Sequence, residues 1–461
     1  MASGSTAVMW FRRDLRLADN PALVEAASHH DRVLALFVDD AHLRTPAGAN
    51  RCWFLAGCLA ELHESTGANL VVRKDTPARA VRAVARQACA EAVYCAEDFG
   101  PYGAERDDEV GKALASDGIE LRPVGTPYAV APGTLTTGSG TPFKVFTPFS
   151  RAWRSHGTDA PFGAPPGVRW ADDIRSDGHP DAPSVVAELP TPGEEAGRRR
   201  MAAFLDGAVD TYADDRDRPG LDGTSRLSPY LKWGCVHPRQ LLDRLGRGKG
   251  PQTFATELAW RDFYADVLLH DPRSARHSLD EAMVGIQLDT GAEADERFEA
   301  WKEGRTGYPI VDAGMRQLVA VGWMHNRVRM IVASFLVKDL HLDWTRGARH
   351  FMEHLVDGDL ASNQHGWQWS AGTGTDAAPY FRVFNPTTQS RHFDPDGTYI
   401  RRWIPELANV EGKAIHQPHA DGRDDDLFSA SRAREYPQPI VDHATERTEA
   451  LRRWREATDR T

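Results

Sequence analysis

The first part of the chain alternates short apolar runs with amphipathic stretches. Strand-helix alternation of this kind predicts an α/β domain over residues 1–130, with a doubly wound, Rossmann-like parallel sheet that carries helices on both faces. The stretches Arg51–Glu64 and Ala78–Ala88 have helical spacing. The predicted strands, short and apolar as expected for burial on both faces, are Ala7–Phe11, Val33–Val38, Leu70–Val72, Ala92–Cys95 and Ile119–Val124.

The pattern changes after residue 130. Residues 131–197 are dense in Pro, Gly, Ser and Thr, as in APGTLTTGSGTP and APFGAPPG, and predict a long inter-domain connector. Its aromatic residues between Phe143 and Trp153 could dock it on a neighbouring surface. Helical patterns such as Asn326–Leu340 dominate residues 198–461, which predicts an all-helical second domain. The predicted fold class is therefore α/β followed by all-α.

The composition indicates a folded globular protein but does not indicate its function. The 461 residues are 41% hydrophobic and 26% charged, which is typical of a folded globular protein. No apolar run approaches the ~18 residues that a membrane span needs, and the first residues have no secretory pattern. The 5 Cys form no CxxC pair, which favours a reducing cytoplasm. The net charge of −11 argues against non-specific coating of nucleic acid, although a local Arg-rich cleft could still bind phosphates.

No GxGxxG motif follows a strand, so the common dinucleotide fingerprint is missing. The segment TSRLS has two interpretations: its hydroxyls and backbone donors could bind a phosphate, or it could simply cap the next helix. The second is favoured by spacing alone. The residues concerned are Thr224, Ser225, Arg226, Leu227 and Ser228.

The segment ELAWRDFY places Glu257, Trp260, Arg261 and Tyr264 on one face of a helix. A carboxylate among large aromatic side chains is costly to bury without partners, so this face could be the wall of a pocket. A surface salt bridge between Glu257 and Arg261 is an equally acceptable interpretation.

Two further segments combine charged and polar residues in an aromatic region. WMHNRVRM contains Arg329, and DGDLASN supplies Asp357 and Asp359, which could pair with it or accept hydrogen bonds from a polar ligand. His350 and His354 have the i, i+4 spacing of metal ligands, but no HExxH motif is present. A packed or solvated pair of histidines is favoured, and we predict no metal.

The longest motifs make the family recognisable. The chain resembles the photolyase/cryptochrome family, and bacterial class I enzymes for cyclobutane pyrimidine dimers in particular. The resemblance begins with WFRRDLRLADNPAL and is densest in GTSRLSPYLKWG, ELAWRDFY, WKEGRTGYPIVDAGMRQL, GWMHNRVRMIVASFLVKDL, DGDLASNQHGWQW and GTDAAPYFRVFNPTTQ. It covers nearly the whole chain and implies an N-terminal antenna domain, a connector, and a helical domain that binds FAD and DNA.

The resemblance implies a set of residues around a U-shaped FAD that is active as FADH−. Tyr212 and the TSRLS segment would hold its phosphates and ribitol together with Arg261. Arg329 and Asp357 would form a salt bridge beside the isoalloxazine, and Asp359 would accept hydrogen bonds from the ring or ribose. Asn363 would face flavin N5, where an amide tolerates both protonation states without adding charge. An Asp there would disfavour the anionic reduced flavin, so Asn favours a repair enzyme over a sensor.

The resemblance also implies a lesion site. Glu257 would hydrogen-bond the dimerised bases, while Trp260 and Trp369 would form an apolar wall against them. Asn326 and Met330 would line the floor between flavin and lesion, and the chemistry would rest on Glu257, Asn326, Asn363 and Met330. The DNA phosphates would be bound by Arg216, Arg327 and Arg382.

Electron transfer and light harvesting are implied as well. Trp367 and Trp344 match the first two members of the family's chain of three Trp, but Asp262–Ala300 contains no Trp to supply the third. The segment EDFGPYGAERD lacks the Asn-Glu pair that folate-binding members of the family carry. A second chromophore of the 8-hydroxy-5-deazaflavin type is therefore favoured over folate, with Asp98 and Lys232 as its contacts.

The resemblance thus predicts a cytoplasmic, monomeric carbon–carbon lyase that repairs UV-damaged DNA with light. It would need no membrane and no obligatory protein partner. Two alternatives stay open: a cryptochrome-like blue-light signalling flavoprotein, and a generic nucleotide-binding α/β protein with a helical appendage.

Overall fold

The N-terminal part is a five-stranded parallel sheet. The computed structural model describes residues 4–375, 381–419 and 435–459. The strands run in the order β3-β2-β1-β4-β5, and β1 pairs with β2 in the register Thr6↔Arg32 to Phe11↔Phe37. The prediction of a doubly wound sheet is confirmed. The strand bounds are Thr6–Phe11 (β1), Arg32–Val38 (β2), Val71–Arg73 (β3), Ala92–Cys95 (β4) and Glu120–Pro123 (β5).

Alternation along β1 explains why both faces of the sheet are covered. Its six residues are all buried. Ala7, Met9 and Phe11 pack with one cluster of helices, whereas Val8 and Trp10 pack with another. The helices of this part are Pro21–His29 (α1), Ala41–Arg44 (α2), Ala49–Ser65 (α3), Pro77–Gln87 (α4) and Pro101–Ala115 (α5). Helices α1 and α3 lie on the first face, and α4 and α5 lie on the second.

In the described residues after the connector, the regular secondary structure is helical. Its own apolar core centres on α13, α14 and α15. Short 3₁₀ turns and a π-helical turn at Phe204–Ala208 join the helices. The helices are Glu194–Ala203 (α7), Tyr212–Asp215 (α8), Ser228–Trp233 (α9), Pro238–Arg244 (α10), Lys249–His270 (α11), Ala292–Lys302 (α12), Pro309–Val321 (α13), Asn326–Lys338 (α14), Trp344–His354 (α15), Leu360–Ala371 (α16), Pro386–Phe393 (α17), Thr398–Trp403 (α18) and His443–Thr458 (α19).

Helix α11 is 22 residues long but carries charges along its length. None of the helices in the described ranges has the combination of length and apolarity that a bilayer crossing requires.

The connector is docked on both parts of the molecule. It contains one helix, Phe146–His156 (α6), and α7 begins at Glu194, inside the range predicted as connector. Trp153 of α6 is buried and donates from Nε1 to Asp262 Oδ2 of α11 at 2.9 Å. Further along, Trp170 forms a parallel bridge with Val33 of β2. The connector therefore joins the sheet to the helical part through buried contacts.

We expect Trp153→Phe to destabilise the protein, because it removes a donor from a buried carboxylate. Burial raises the pKa of Asp262 to about 6. Because the pKa of this carboxyl is higher in the folded than in the unfolded protein, its ionisation destabilises the folded state as pH rises. Loss of the Trp153 donor therefore costs more at pH 8, where Asp262 is ionised, than at pH 5. The expected loss at pH 8 is about 1–3 kcal/mol in the free energy of unfolding, measured by urea denaturation.

Val186→Ala is the matched control in the same connector, because Val186 is 97% exposed. A change within about 0.5 kcal/mol is expected for it. An equal loss for Trp153→Phe at both pH values would contradict the role given to Asp262.

Candidate functional site

The helical part encloses one large cavity. Its volume is about 1000 Å³, at the upper end of the range of about 300–1,000 Å³ that small-molecule sites occupy. Every predicted site residue except Asp98 and Trp344 lines it. The lining residues are Tyr212, Arg216, Thr224, Ser225, Arg226, Leu227, Ser228, Lys232, Glu257, Trp260, Arg261, Asn326, Arg327, Arg329, Met330, Asp357, Asp359, Asn363, Trp367, Trp369 and Arg382.

A salt bridge lies in the cavity wall between α14 and the loop before α16. Arg329 donates to Asp357 Oδ2 at 2.8 Å and to the carbonyl of Met324 at 2.8 Å. The side chain of Asp357 is only 2% exposed. Its second oxygen, Oδ1, is buried and has no hydrogen-bond partner among the described residues. A ligand N–H that enters the cavity would find an acceptor there.

Asp359 lies at the start of α16. It caps the helix by accepting from the backbone N–H of Ser362 at 3.1 Å, and it forms a 2.6 Å salt bridge with Arg13, which follows β1. Burial alone would raise the pKa of this carboxyl, but the positive charges of Arg13, Lys232 and Arg261 outweigh burial and hold the pKa below its usual range. Asp359 is therefore a fixed negative charge in the cavity wall.

Asn363 lies one turn into α16 and is buried. Its Nδ2 donates to the carbonyl of Ala348 at 3.1 Å and to Gln364 Oε1 at 2.8 Å. Its Oδ1 accepts no hydrogen bond from the described residues, so the oxygen is available to a ligand in the cavity that Asn363 lines. The amide is thus held in one orientation by the helix packed against it.

The TSRLS segment lines the cavity, and the interpretation that its hydroxyls simply cap the next helix is wrong, because α9 has no side-chain cap hydrogen bond. Arg226 has a φ of 49°, so the backbone turns sharply there, and Leu227 precedes the first residue of α9. No side chain at Leu227 caps that helix. Arg200 donates to the carbonyls of Ser225 at 2.7 Å and Thr224 at 2.9 Å. The carbonyls of the segment therefore point away to Arg200, while its residues line the cavity.

Arg261 already has partners in the protein. It donates to the carbonyl of Pro127 at 2.9 Å and to that of Leu231 at 3.2 Å, and its guanidinium lies 4.5 Å from the ring centre of Tyr128. These contacts fix the guanidinium between the connector's start and α9. Arg261 can still contribute positive charge to the cavity, which it lines.

Glu257 and Trp260 lie on the same wall of α11. Glu257 forms a 2.5 Å salt bridge with Arg216, and not with Arg261 as the surface alternative supposed. Its side chain is 26% exposed, and burial raises its pKa although Arg216 opposes the shift. Trp260 stacks on Phe146 of the connector with ring centres 3.6 Å apart. The wall interpretation of this helix face is therefore the one that the structure favours.

The residues predicted to bind DNA lie around the same opening. Arg327 pairs with Asp217 at 2.9 Å, and Arg382 is exposed. Asn326 is exposed at the start of α14, and Met330 lies one turn deeper. Their roles stay predictions, but the structure brings all of them to one cavity.

Trp367 and Trp344 lie on neighbouring helices. Trp367 of α16 is buried, packs edge to face on Phe351 at 5.0 Å, and has an Nε1 without a partner among the described residues. A Cβ at Gly347 would lie 2.1 Å from its ring, so only glycine fits there. Trp344 begins α15 and donates to Ser278 Oγ at 3.2 Å.

Asp98 and Lys232 lie near the junction of the two parts. Asp98 pairs with Arg106 at 3.1 Å, and this and other Arg charges outweigh burial and lower its pKa to about 2. Burial, assisted by Arg13, lowers the pKa of Lys232 to about 7. Only Lys232 reaches the large cavity.

Sequence reasoning missed three partners of these residues. Arg13, Phe146 and Asp217 contact Asp359, Trp260 and Arg327, respectively. Arg13 lies within the motif WFRRDLRLADNPAL, so its place in the family pattern was available although its partner was not. Phe146 is one of the connector's aromatic residues that were predicted to dock on a neighbouring surface, and Trp260 is that surface. Asp217 has no local pattern.

Comparison with known proteins identifies the family. The deoxyribodipyrimidine photo-lyase of Streptomyces griseus is 44% identical over 456 residues, which are 96% of this chain and 98% of that protein. The corresponding protein of Escherichia coli is 38% identical over 97% of this chain and 98% of its own length. The chain belongs to the DNA photolyase family.

Two family models divide this photolyase-family chain. The one described as DNA photolyase matches residues 7–166, and the one described as FAD binding domain of DNA photolyase matches residues 254–456. The second match confirms FAD as the predicted cofactor. The domain bounds 1–130, 131–197 and 198–461 are not tested by these matches and stay predictions.

Solved structures confirm the predicted fold. A bacterial class III photolyase from Agrobacterium tumefaciens has a TM-score of 0.92 and 34% identity, and covers 100% of this chain and 99% of its own. A Synechocystis cryptochrome has a TM-score of 0.88 and 28% identity, and covers 98% of this chain and 100% of its own. The class of this chain within the family stays a prediction.

We expect Arg329→Ala to cost about 3–5 kcal/mol in the free energy of unfolding, because it leaves the buried charge of Asp357 without a partner. The variant Arg329→Ala/Asp357→Asn should recover much of that loss. Urea denaturation of the single and double variants measures both values. Additive losses would contradict a direct interaction between the two side chains.

Proposed function

We propose that this photolyase-family chain repairs UV-damaged DNA with light by splitting cyclobutane pyrimidine dimers, and that the large cavity is where it does so. One observation carries the proposal: residues suited to a flavin and residues suited to a flipped-out lesion line the same cavity. The full-length relatives named deoxyribodipyrimidine photo-lyase support the reaction.

The cavity suits FAD in size and chemistry. Its volume of about 1000 Å³ accommodates a large cofactor, and the unpartnered Asp357 Oδ1 offers an acceptor in its wall. Arg329 and Asp357 would lie beside the ring system, with Asn363 and Asp359 as further polar contacts. Tyr212, the TSRLS segment and Arg261 would hold the rest of the molecule. When bound in its reduced form, FAD would lend an electron to the dimer on light excitation and would regain it after the two C–C bonds of the cyclobutane ring have broken, so the repair has no net redox change.

The chain's own residues would select and hold the lesion. Enzymes that act on bases, photolyases included, extrude them from the duplex at a cost of a few kcal/mol, which is lowest for damaged bases. Trp260 and Trp369 offer an apolar wall for such bases, and this wall also excludes water. Glu257 would hydrogen-bond a base carbonyl as charge develops there, and burial, which raises its pKa, favours the proton that this bond needs. Asn326 and Met330 would complete the floor.

Arginine side chains would position the DNA backbone. Arg216 and Arg327 are held by Glu257 and Asp217 at 2.5 and 2.9 Å, whereas Arg382 is exposed. A phosphate could share Arg327 with its half-exposed carboxylate partner at small cost. These contacts would position the duplex without reading its sequence.

Electron supply and light harvesting belong to the same proposal. Trp367 and Trp344 would serve the reduction of oxidised flavin. A second chromophore of the 8-hydroxy-5-deazaflavin type would bind near Asp98 and Lys232. A solved archaeal photolyase from Sulfolobus tokodaii contains two FAD molecules, which supports a second chromophore site in the family. The absorbance spectrum of chromophores released from the purified protein would identify it, and a folate spectrum would contradict the choice.

The decisive experiment illuminates the reduced protein with an oligonucleotide that contains a thymine dimer. We expect light-dependent restoration of the pyrimidines. Glu257→Ala should lower the repair yield per absorbed photon by about tenfold, and dimer binding by less, because the contact strengthens only as charge develops. Glu25→Ala, an exposed carboxylate of α1, is the control and should change neither.

Absence of light-dependent repair by the wild-type protein would contradict the proposed function. A protein that instead binds a partner only under blue light would favour the signalling alternative.

Arg327→Ala should weaken DNA binding by reducing the electrostatic contribution. If Arg327 neutralises one phosphate, the slope of log affinity against log salt should become shallower by about 1. Filter binding or fluorescence anisotropy at several salt concentrations measures the slope. Arg32→Ala, which lies on β2 and pairs with Asp173, is the control. An unchanged slope would remove Arg327 from the DNA interface.

A further inference from the structure

The last turns of α15 carry three side chains that the flavin and DNA sites do not use. His350, Glu353 and His354 each have one possible ligand atom, and these atoms all lie within 4.8 Å of one another. The segment reads H-F-M-E-H. Spacings of i+3 and i+4 place the three side chains on one face of the helix.

His350 is the residue that lacks an explanation in the fold. It is 4% exposed, and neither ring nitrogen has a hydrogen-bond partner in the described part of the chain. Its neighbours are largely aromatic: Trp301 packs edge to face at 5.6 Å and Phe298 at 6.5 Å, and the His354 ring centre is 4.5 Å away. A buried polar group without a partner is energetically unfavourable. The position therefore calls for a partner that His350 can bind.

We propose that His350, Glu353 and His354 form a binding site for a divalent transition metal ion, with zinc as the best match. Two imidazoles and a carboxylate are a ligand set that zinc accepts, with a fourth position left for water. His350 Nδ1 and Glu353 Oε2 are 4.0 Å apart, and the Glu353 side chain is 57% exposed. Ligand atoms around zinc lie about 3.5 Å apart, so a small rotation of Glu353 closes the site.

The charges around the site are compatible with a cation. A metal ion binds the neutral form of both imidazole rings. Lys302 of α12 is a positive group whose charge acts on both rings. Its ammonium is bound by Glu299 at 2.8 and 3.0 Å, which reduces its repulsion of a metal ion.

The site lies where the two parts of the molecule meet. Asn50 of α3 donates to the carbonyl of His354 at 2.6 Å, and Arg51 donates to that of Met352. Asp357 of the large cavity follows His354 by three residues. A metal ion would restrain the last turn of α15 further. It would thereby stabilise the folded protein by mass action and stiffen the segment that leads to Asp357.

The test uses the full-length flavoprotein after treatment with a chelator. Zn²⁺ competition against a chromogenic chelator should give one tight equivalent, and Co²⁺ should show the strong visible absorption of a tetrahedral site. His354→Gln and Glu353→Gln should each weaken Zn²⁺ binding by about tenfold or more. Neither variant alters the buried His350, and retained flavin content verifies that each is folded.

His29→Gln is the matched control. His29 and Glu25 form an exposed His–Glu pair one turn apart on α1, with atoms 3.4 Å apart. The variant His29→Gln should leave the Zn²⁺ affinity unchanged. Zn²⁺ should raise the Tm of this control but not the Tm of His354→Gln or Glu353→Gln. Equal Zn²⁺ affinity in the wild-type protein and the three variants, or no Zn²⁺ binding below about 100 μM, would overturn the proposal. His350 and His354 would then be a packed pair.

Discussion

The salt bridge between Arg13 and Asp359 is the interaction on which the cavity most depends. Arg13 belongs to the loop after β1, and Asp359 caps the helix that carries Asn363 and Trp367. The backbone of Arg13 also packs closely against the end of α9, since a Cβ at Gly234 would lie 2.0 Å from the carbonyl oxygen of Arg13. The sheet therefore helps to set the position of a helix that contributes several residues to the cavity wall. Because the pair is largely buried, either charge without the other would be strongly unfavourable.

The remaining charges of the cavity fall into two groups. Asp357, like Asp359, is buried and held by a single arginine, so its geometry is set before any ligand arrives. The pairs at the opening, Arg216 with Glu257 and Arg327 with Asp217, are more exposed. Because the carboxylates of these outer pairs are more accessible to water, exchanging one partner costs less there than in the interior. The interior of the cavity is thus rigid in its electrostatics, while the opening can adapt to a charged polymer.

The sequence allowed most of the fold to be predicted because the pattern is local. The predicted strand Ala92–Cys95 is identical to β4, and the other four differ from the structure by a residue or two at their ends. Almost all predicted site residues meet in one cavity, since long family motifs carry them. What could not be predicted is long-range pairing. Glu257 binds Arg216, 41 residues away, and not Arg261 one turn along the same helix. Helical spacing relates Glu257 only to residues of its own helix, so it could not identify Arg216 as the partner.

The stacking of Phe146 on Trp260 changes how the molecule can be divided. A stretch rich in Pro and Gly is usually regarded as a tether, which engineers shorten, lengthen or cut when they exchange modules between proteins. Here Phe146 of that stretch stacks on the ring of Trp260 at the cavity opening, and Trp153 binds Asp262 of the same helix, α11. A helical half produced without residues 146–156 would expose the apolar underside of Trp260 to water. The unit of modular exchange is therefore the helical half together with its connector.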